Sequence, residues 1–342
     1  TINSENAMLR SLVGSEMCIR DRYSELRPSL EQANRQVLKS SQVMMGDYTD
    51  DLEQRIATVA GAGYAAIVGS GSDALLYALV AEDIRGGVAM PAQTYLATAN
   101  SILRAGCNPI GVDVDDQGLL DWEIIPSEID CTVWVGLFGN LNKFPEGTTV
   151  IEDGAQHFGA PLQGMSAAYS FDPTKGLPNF GNGGAVVSND MTVIRNVKHL
   201  RRHHLINGHT GGNSIMSERE CAEMCVKLDH FPFWQERRQE IAQDYHKSIG
   251  DLVDCITDYE GQVSKFIIRT DYRADLERHL RIQGVETKRA YAEPIVEVPQ
   301  ARKNCNEFLQ IPCDPYTTDE EILMIVLAIK KFFNELPLEG AA

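Results

Sequence analysis

The sequence lacks a surplus of positive charge, and this absence excludes the usual nucleic-acid-binding classes. Its 342 residues include 31 Lys and Arg against 48 Asp and Glu, which gives a formal net charge of -17 at pH 7. The densest cationic run, Arg201-Arg202-His203-His204, is too short for a phosphate-binding surface. Because binding to a phosphate backbone depends on counterion release by clustered cations, we expect no nucleic-acid partner.

Long apolar runs, paired cysteines and metal-ligand spacings are missing as well. No stretch approaches the roughly 20 apolar residues of a membrane span, and no secretory signal is recognisable. The eight cysteines are scattered, without a CxxC pair. His203, His204 and His209 are not spaced as zinc ligands are. We therefore expect a cytoplasmic protein with free thiols, no membrane association and no metal site.

The N-terminus is set apart by residues 12–21, which read LVGSEMCIRD. The codons CTC GTG GGC TCG GAG ATG TGT ATA AGA GAC encode this string and also spell a transposase adapter used in preparing DNA sequencing libraries. The last bases of the adapter, AG, would begin the codon of Arg22. We therefore treat residues 1–22 as an assembly artefact that carries no fold information. Resequencing of the source locus tests this expectation, and an intact native reading frame through LVGSEMCIRD would contradict it.

What the sequence does contain is an alternation of short apolar runs and helical patterns, which is typical of a parallel α/β sheet. A helical region over residues 26–60 comes first, with Thr49-Asp50-Asp51 as the expected N-cap of its second part. A helical stretch over 217–246, broken near Pro232, leads to a smaller α+β domain. We predict a large domain over residues 23–235 and a small one over residues 236–342. The predicted strands are 64–68, 88–90, 109–114, 132–138, 149–152, 167–171, 184–188 and 264–270, and the other predicted helices are 73–81, 95–105, 273–283 and 319–333.

Three short segments carry candidate chemistry. GSGSD, residues 69–73, lies between a strand and a helix, where backbone N–H groups bind anions; a tight turn with a Ser or Asp cap is the alternative. Asp153 ends a buried strand and needs a cationic or hydrogen-bonding partner, unless it caps the next helix. Lys175 is either a solvated charge or an amine that forms a Schiff base with an aldehyde cofactor. A lysine, an acidic partner and a phosphate cradle together favour pyridoxal 5'-phosphate (PLP).

Motifs along most of the chain match one known pattern. They are VGSGSDALLYAL (68–79), MPAQTYLATANSILRAGCNPIGVDVD (90–115), VIEDGAQHFGA (150–160), SFDPTKGL (170–177), GNGGAVVSND (181–190), GGNSIMSE (211–218), QERRQEIAQDY (235–245) and IPCDPYTTDEEI (311–322). In these motifs, from about Leu26 to Phe333, the chain resembles the DegT/DnrJ/EryC1/StrS family of sugar aminotransferases. The resemblance implies a fold-type-I PLP enzyme, with a mainly parallel sheet in the large domain and a smaller α+β C-terminal domain.

The resemblance also implies roles for residues around the cofactor ring. Lys175 matches the lysine that holds the cofactor as a Schiff base and carries the proton. Asp153 matches the carboxylate on the pyridine nitrogen, and Gln156 matches the side chain on the phenolic oxygen of the ring. Tyr95 matches the aromatic residue that stacks on the ring.

Four further residues match family contacts to the cofactor phosphate. Gly71, Ser72 and Ser170 match contacts within one subunit. Asn213 matches an asparagine that reaches the cofactor phosphate of the partner subunit. The resemblance therefore implies a homodimer with shared active sites.

The chain departs from the family pattern on what the resemblance implies is the substrate side. Gly136 stands in VGLFG where the family commonly has the histidine of VHLYG, and Ile215 stands where an arginine is frequent. Only residues 140–149 fill a gap in which the family usually has a short helix. Arg201, Arg202 and Arg289 are candidate contacts for an anionic substrate, although a solvated helix end is the alternative for the first two.

These features predict an aminotransferase that moves an amino group from glutamate or glutamine to a nucleotide-linked keto sugar. A related dehydratase would have histidine in place of Lys175, which argues against that activity. An aminotransferase for a non-sugar ketone such as a cyclitol, and a cofactor-binding regulator or pseudoenzyme, remain as alternatives.

Overall fold

A seven-stranded sheet forms the centre of the large domain. The computed structural model describes residues 16–336, with side chains from Ser24 onward. The order of the strands across the sheet is β1-β7-β6-β5-β4-β2-β3. The strands are β1 (Tyr64–Val68), β2 (Gly87–Pro91), β3 (Asn108–Val112), β4 (Cys131–Val135), β5 (Val150–Asp153), β6 (Ser166–Ser170) and β7 (Gly184–Ser188).

The sheet is mainly parallel, as the alternating pattern predicts. Strand β7 alone pairs in the antiparallel sense, with β1 on one side and β6 on the other. The remaining six strands run in one direction. Their carboxyl ends therefore meet at one edge of the sheet, together with the first residue of β7. In open α/β sheets this is the edge at which ligands bind.

Helices flank the sheet and continue into the small domain. The helices between residues 47 and 200 pack against strands of this sheet, whereas the helix Glu16–Ser40 packs against the helix Glu218–Ile249. The helices are α1 (Glu16–Ser40), α2 (Asp47–Val59), α3 (Gly71–Ala81), α4 (Leu96–Arg104), α5 (Met191–Leu200), α6 (Glu218–Ile249), α7 (Arg273–Ile282), α8 (Pro299–Glu307) and α9 (Asp319–Asn334). None of the helices in the described part of the chain is both long enough and apolar enough to cross a membrane.

The N-terminal segment is described only in part. Residues 1–15 lie outside the described residues, and α1 begins at Glu16. The interpretation of residues 1–22 as an artefact therefore stays a prediction.

The predicted cap at Thr49-Asp50-Asp51 is wrong. Helix α2 begins at Asp47, and its N-cap is Gly46, which has no side chain to accept a hydrogen bond. The buried carboxylate of Glu218 accepts from the backbone N–H of Gly46 and, at 2.6 Å, from that of Thr49. A residue distant in sequence thus replaces the local cap, because the unpaired N–H groups of a first turn donate to any well-placed oxygen.

The predicted break at Pro232 is also wrong. Helix α6 continues through this position for 32 residues. Pro232 lies on the exposed side of the helix, outside the two hydrophobic cores that the helix contributes to. The proline is therefore tolerated without ending the helix.

The small domain is built on a three-stranded antiparallel sheet. After a two-stranded hairpin of β8 (Leu205–Ile206) and β9 (His209–Thr210) in the large domain, its strands are β10 (Asp254–Cys255), β11 (Phe266–Arg269) and β12 (Phe308–Ile311), in that order across the sheet. Helix α6 packs residues up to Trp234 in one core and residues from Ile241 in the other. The boundary predicted after residue 235 falls in this continuous helix, and it stays a prediction.

The connection from β4 to β5 has no α-helix, as the short segment predicts. It contains one turn of 3₁₀-helix, Leu137–Gly139, followed by a loop. The ring of Phe144 from this loop packs at 5.0 Å from that of Trp134 and at 5.6 Å from that of Trp122. These aromatic rings cover part of the sheet face in place of a crossover helix.

Candidate functional site

The N-terminus of α3 presents two backbone donors at the carboxyl edge of the sheet. Ser70 is the N-cap, and its side chain accepts from the N–H of Asp73 at 3.1 Å. The N–H groups of Gly71 and Ser72 have no acceptor among residues 16–336. Such a pair of free donors at a helix N-terminus binds an anion, and the positive end of the helix dipole adds to the attraction.

Two glycines allow this helix end to lie directly over the sheet. In the register of the sheet, Gly184 stands opposite both Val68 and Ser170. A Cβ atom on Gly184 would lie 2.5 Å from the carbonyl oxygen of Ser70, and a Cβ atom on Gly71 would lie 2.5 Å from the Cβ atom of Ser170. The absence of both side chains brings the α3 donors and the Ser170 hydroxyl together. Gly71, Ser72 and Ser170 are the three residues to which the family resemblance assigns phosphate contacts within one subunit.

Asp153 is fixed at the end of β5 by donors on both oxygens. Its Oδ2 accepts from the hydroxyl of Thr98 at 2.8 Å, and its Oδ1 accepts from the N–H of Ala155 at 3.3 Å. Thr98 lies in α4, and its hydroxyl is also 3.0 Å from that of Thr94. The carboxylate is therefore held in one orientation. Thr98 was missed in the sequence, although it lies three residues after Tyr95 and so on the same face of α4.

Lys175 lies in the loop after β6, close to Asp153. Its backbone N–H donates to the carbonyl of Asp172 at 2.9 Å. Burial lowers the pKa of the Lys175 amine; the nearby charges of Asp153 and Asp172 oppose this shift, and that of Lys288 adds to it. A lowered pKa leaves more of the amine as the neutral base, which is the form that attacks a carbonyl carbon.

Gln156 joins the site to both domains. Its Nε2 donates to the hydroxyl of Tyr291 at 3.0 Å, and its Oε1 accepts from the N–H of Phe138 at 2.8 Å. The carbonyl of Phe138 then accepts from the N–H of Ser264 at 3.1 Å. Burial raises the pKa of the Tyr291 hydroxyl, and the charge of Asp153 raises it further. Tyr291 was also missed in the sequence, where only Arg289, two residues earlier, was considered.

Tyr95 and Asn213 lie at the surface of the subunit. Tyr95 is the N-cap of α4 and is 68% exposed. Asn213 is exposed, and its side chain has no hydrogen bond to the described residues of its own subunit. The neighbouring Ser214 binds the GSGSD loop, residues 69–73. It accepts from the N–H of Gly69 at 2.9 Å and donates to Asp73 at 2.8 Å. Asn213 thus lies next to a residue that binds this loop, but its own side chain makes no hydrogen bond to the described residues of the loop.

Two of the three candidate arginines are engaged elsewhere. Arg201 is buried and donates at 2.6 Å to both Glu53 and the carbonyl of Ile67, so neither a substrate contact nor a solvated helix end describes it. Arg289 pairs with Glu277 at 3.4 Å on the surface of the small domain. Of the three, only Arg202 has no hydrogen bond or ion pair from its side chain to the described residues, and it is exposed.

The imidazole of His157, which follows β5, fills the space beside Gly136, which follows β4. A Cβ atom on Gly136 would lie 2.2 Å from Nδ1 of His157. The imidazole is fully buried, with its Nε2 at 3.0 Å from Oε2 of Glu152 and its ring centroid at 5.0 Å from that of Trp134. Oε1 of Glu152 accepts from the N–H groups of Gln163 and Gly164, both at 2.6 Å. The histidine ring at 157 thus fills the volume that a side chain at 136 would need.

Replacing Gly136 with alanine is therefore expected to destabilise the protein by about 1–3 kcal/mol, the usual cost of overpacking. In the double variant with His157→Ala, the added methyl group should cost much less, which gives a favourable interaction between the two changes. Chemical denaturation of the four proteins measures this. Gly63→Ala is the matched control, because its nearest contact to a new Cβ atom is an ordinary 3.5 Å. Equal effects of Gly136→Ala with and without His157 would contradict the shared space.

The chain matches one protein family over most of its length. The model of the DegT/DnrJ/EryC1/StrS aminotransferase family matches residues 25–330. The pleiotropic regulatory protein of Geobacillus stearothermophilus is 30% identical, over 92% of this chain and 97% of its own length. The UDP-2-acetamido-2-deoxy-3-oxo-D-glucuronate aminotransferase of Pseudomonas aeruginosa is 28% identical, over 91% of this chain and 98% of its own.

A solved structure shares the fold closely. The crystal structure of S. venezuelae DesV in complex with a ketimine intermediate is 25% identical to this chain and superposes with a TM-score of 0.86. The alignment covers 93% of this chain and 98% of DesV. The family match extends over both domains and every candidate site residue. The chain belongs to the DegT/DnrJ/EryC1/StrS aminotransferase family.

Proposed function

We propose that this aminotransferase uses PLP to move an amino group from glutamate or glutamine to a nucleotide-linked keto sugar. The observation that carries the proposal is the Lys175 amine, with a lowered pKa, beside the fixed carboxylate of Asp153. The free N–H groups of Gly71 and Ser72 lie at the same edge of the sheet and fit a phosphate group.

The residues present fit the cofactor. PLP, when bound, supplies an electron sink that is conjugated with the transferred amine. Lys175 would hold the cofactor and move the proton between the donor carbon and the cofactor, and Asp153 would keep the pyridine nitrogen protonated. Gln156 would contact the phenolic oxygen, and Tyr95 would cover the ring face. Gly71, Ser72 and Ser170 would bind the phosphate.

The substrate class follows from the relatives. The Pseudomonas relative acts, by its name, on a UDP-linked 3-oxo sugar, and this chain shares its length and family. A dehydratase of this family would have histidine in place of Lys175, so the lysine argues against that activity. The relative named as a regulatory protein is the specific observation that favours the second candidate, a cofactor-binding regulator without turnover.

Incubation with nitrogen-15 glutamate or glutamine and a panel of nucleotide-linked 3-keto and 4-keto sugars is expected to yield a labelled amino sugar. Mass spectrometry detects the product, and reactions without enzyme set the background. Loss of the bound cofactor's visible absorption on addition of donor alone reports the first half-reaction. Conversion of the cofactor without any labelled sugar would indicate a non-sugar ketone acceptor. An unchanged cofactor with every donor would contradict the aminotransferase proposal and favour the regulator.

We also infer that two copies of the chain share their sites. The support is the exposed position of Asn213 beside the GSGSD loop, with no hydrogen-bond partner for its side chain in the described part of its own subunit. The family resemblance gives the same residue a contact with the partner's cofactor phosphate.

Mixing Lys175→Ala chains with Asn213→Ala chains is expected to restore activity that neither variant has alone. A mixed dimer holds one site in which the lysine and the asparagine are both native. After random exchange of subunits the mixture should reach about a quarter of the wild-type activity. Subunit exchange is verified by mass spectrometry of the intact dimers. Mixed dimers that form and stay inactive would argue against shared sites.

The proposed location is the cytoplasm. The seven cysteines among the described residues are free thiols, and six of them are buried. Burial raises the pKa of Cys131 and Cys221 to about 12, which keeps them protonated and unreactive. Thiols without disulfide partners are typical of a reducing compartment.

A further inference from the structure

One face of the small-domain sheet is turned toward the active site. Ile267 of β11 and Phe308 of β12 pack in one cluster with Leu137 and Phe138 of the large domain. In the register of this sheet Gln310 stands opposite Ile267, and Lys288 forms a bridge to Gln310. Because directly opposed residues of antiparallel strands share a face, Lys288 lies on the face that meets the large domain.

A second lysine enters from the beginning of β11. Lys265 follows Ser264, whose N–H is bound to the carbonyl of Phe138. Ser264 lines a cavity together with Gln156, Ser170 and Lys175. Lys265 lies two residues before Ile267 and so, by the alternation of a strand, on the face of the small-domain sheet that meets the large domain, directly after a residue that lines this cavity.

These two lysines and Lys175 form a cluster of positive charge. Burial lowers the pKa of Lys265 to about 8, and the charges of Lys175 and Lys288 contribute to the shift. Among the described residues, neither the Lys265 nor the Lys288 amine has a hydrogen bond or an ion pair. The charge of Asp172 opposes the lowering of the Lys265 pKa, but the Asp172 carboxylate already accepts from the N–H and the hydroxyl of Thr174, at 2.9 and 2.6 Å.

This arrangement is unexpected in a chain with 48 acidic and 31 basic residues. A partly buried ammonium group normally gains a carboxylate partner, because desolvation of an unpaired charge is costly. Here acidic side chains are abundant and none is placed against the two amines. The charge is therefore left for a ligand to neutralise.

We propose that Lys265 and Lys288 form a carboxylate-binding subsite beside Lys175 that selects substrates with an acidic group near the reacting carbon. The proposal rests on the proposed function. A diphosphate is separated from the reacting carbon by the sugar ring, whereas a ring carboxylate or the carboxylate of an amino-acid donor reaches the immediate surroundings of the reactive amine. The cofactor phosphate has its own donors at Gly71 and Ser72.

Equilibrium binding of ligands that cannot react tests the subsite without any turnover. Isothermal titration calorimetry of the holoenzyme compares UDP-glucuronate with UDP-glucose, and glutarate with glutaramide. We expect the carboxylate member of at least one pair to bind roughly tenfold more tightly, as charge-assisted hydrogen bonds provide. In the Lys265→Gln/Lys288→Gln double variant this preference should disappear, while the neutral member binds as before.

The two pairs separate the sources of the carboxylate. A preference confined to the UDP sugars assigns the subsite to the acceptor, and one confined to glutarate assigns it to the donor. Lys265→Arg, which keeps the charge, should keep the preference, and Lys330→Gln, an exposed lysine on α9, is the matched control. Circular dichroism and thermal unfolding verify that each variant is folded.

No preference in either pair for the wild type, or a preference that survives in the double variant, would overturn the subsite. If the carboxylate preference is found but no keto sugar is aminated, the subsite stands and the proposed acceptor class is wrong. The two proposals can therefore fail separately.

Discussion

Lys175→Ala is expected to lower the rate of amino transfer by at least about 10⁴-fold, because it removes both the attachment of the cofactor and the group that moves the proton. The substrate panel with nitrogen-15 donor measures the loss. Lys330→Ala, on the surface of α9, is the control and should keep full activity.

A chemical experiment on the wild type identifies the same amine. Borohydride reduction of the holoenzyme followed by peptide mapping should place the mass of the cofactor on Lys175. The lowered pKa of this amine supports that site over the exposed lysines of the chain. An adduct on another lysine, or none at all, would show that Lys175 has been assigned the wrong role.

Asp153→Ala is expected to lower kcat by roughly 10²–10³-fold while the affinity for the cofactor falls much less. The carboxylate stabilises charge that develops during the reaction, and loss of one such group has an effect of this size. The phosphate donors at Gly71, Ser72 and Ser170 are untouched, so they still hold the cofactor. Absorption titration with PLP gives the affinity, and single-turnover kinetics with glutamate give the rate.

A graded variant separates the charge of Asp153 from its orientation. Thr98→Val removes the donor to Oδ2 but leaves the carboxylate in place, so its loss of rate should be several-fold and clearly smaller. An Asp153→Ala protein that loses cofactor binding and rate to the same extent would indicate that the carboxylate anchors the cofactor rather than activating it.

The sequence predicts the sheet and the reactive residues because each depends on local patterns. The run Tyr64–Val68 is apolar and ends before GSGSD, so both the strand and the anion loop are visible there. Asp153 is the last residue of the buried strand β5, and Lys175 lies in the loop that follows the buried strand β6. The carboxyl ends of parallel strands meet at one edge, and this brings the two residues together without further information.

The features that were missed depend on residues far apart in sequence. Glu218 caps a helix that begins 171 residues earlier, at Asp47, and Arg201 finds its partner at Glu53. No local pattern indicates either pairing.

Helices α5 and α8 and strand β12 were missed for a different reason, since local signals were present. Asp190 and Pro299 are ordinary start signals for the two helices.

The shared space of Gly136 and His157 links the choice of residue at these two positions. In this backbone the imidazole at 157 fits only when 136 carries no side chain, because a Cβ atom there would lie 2.2 Å from Nδ1 of His157. Engineering the histidine of VHLYG into position 136 of this chain would therefore require a smaller residue at 157 in the same step. The two positions form one unit in the design of variants.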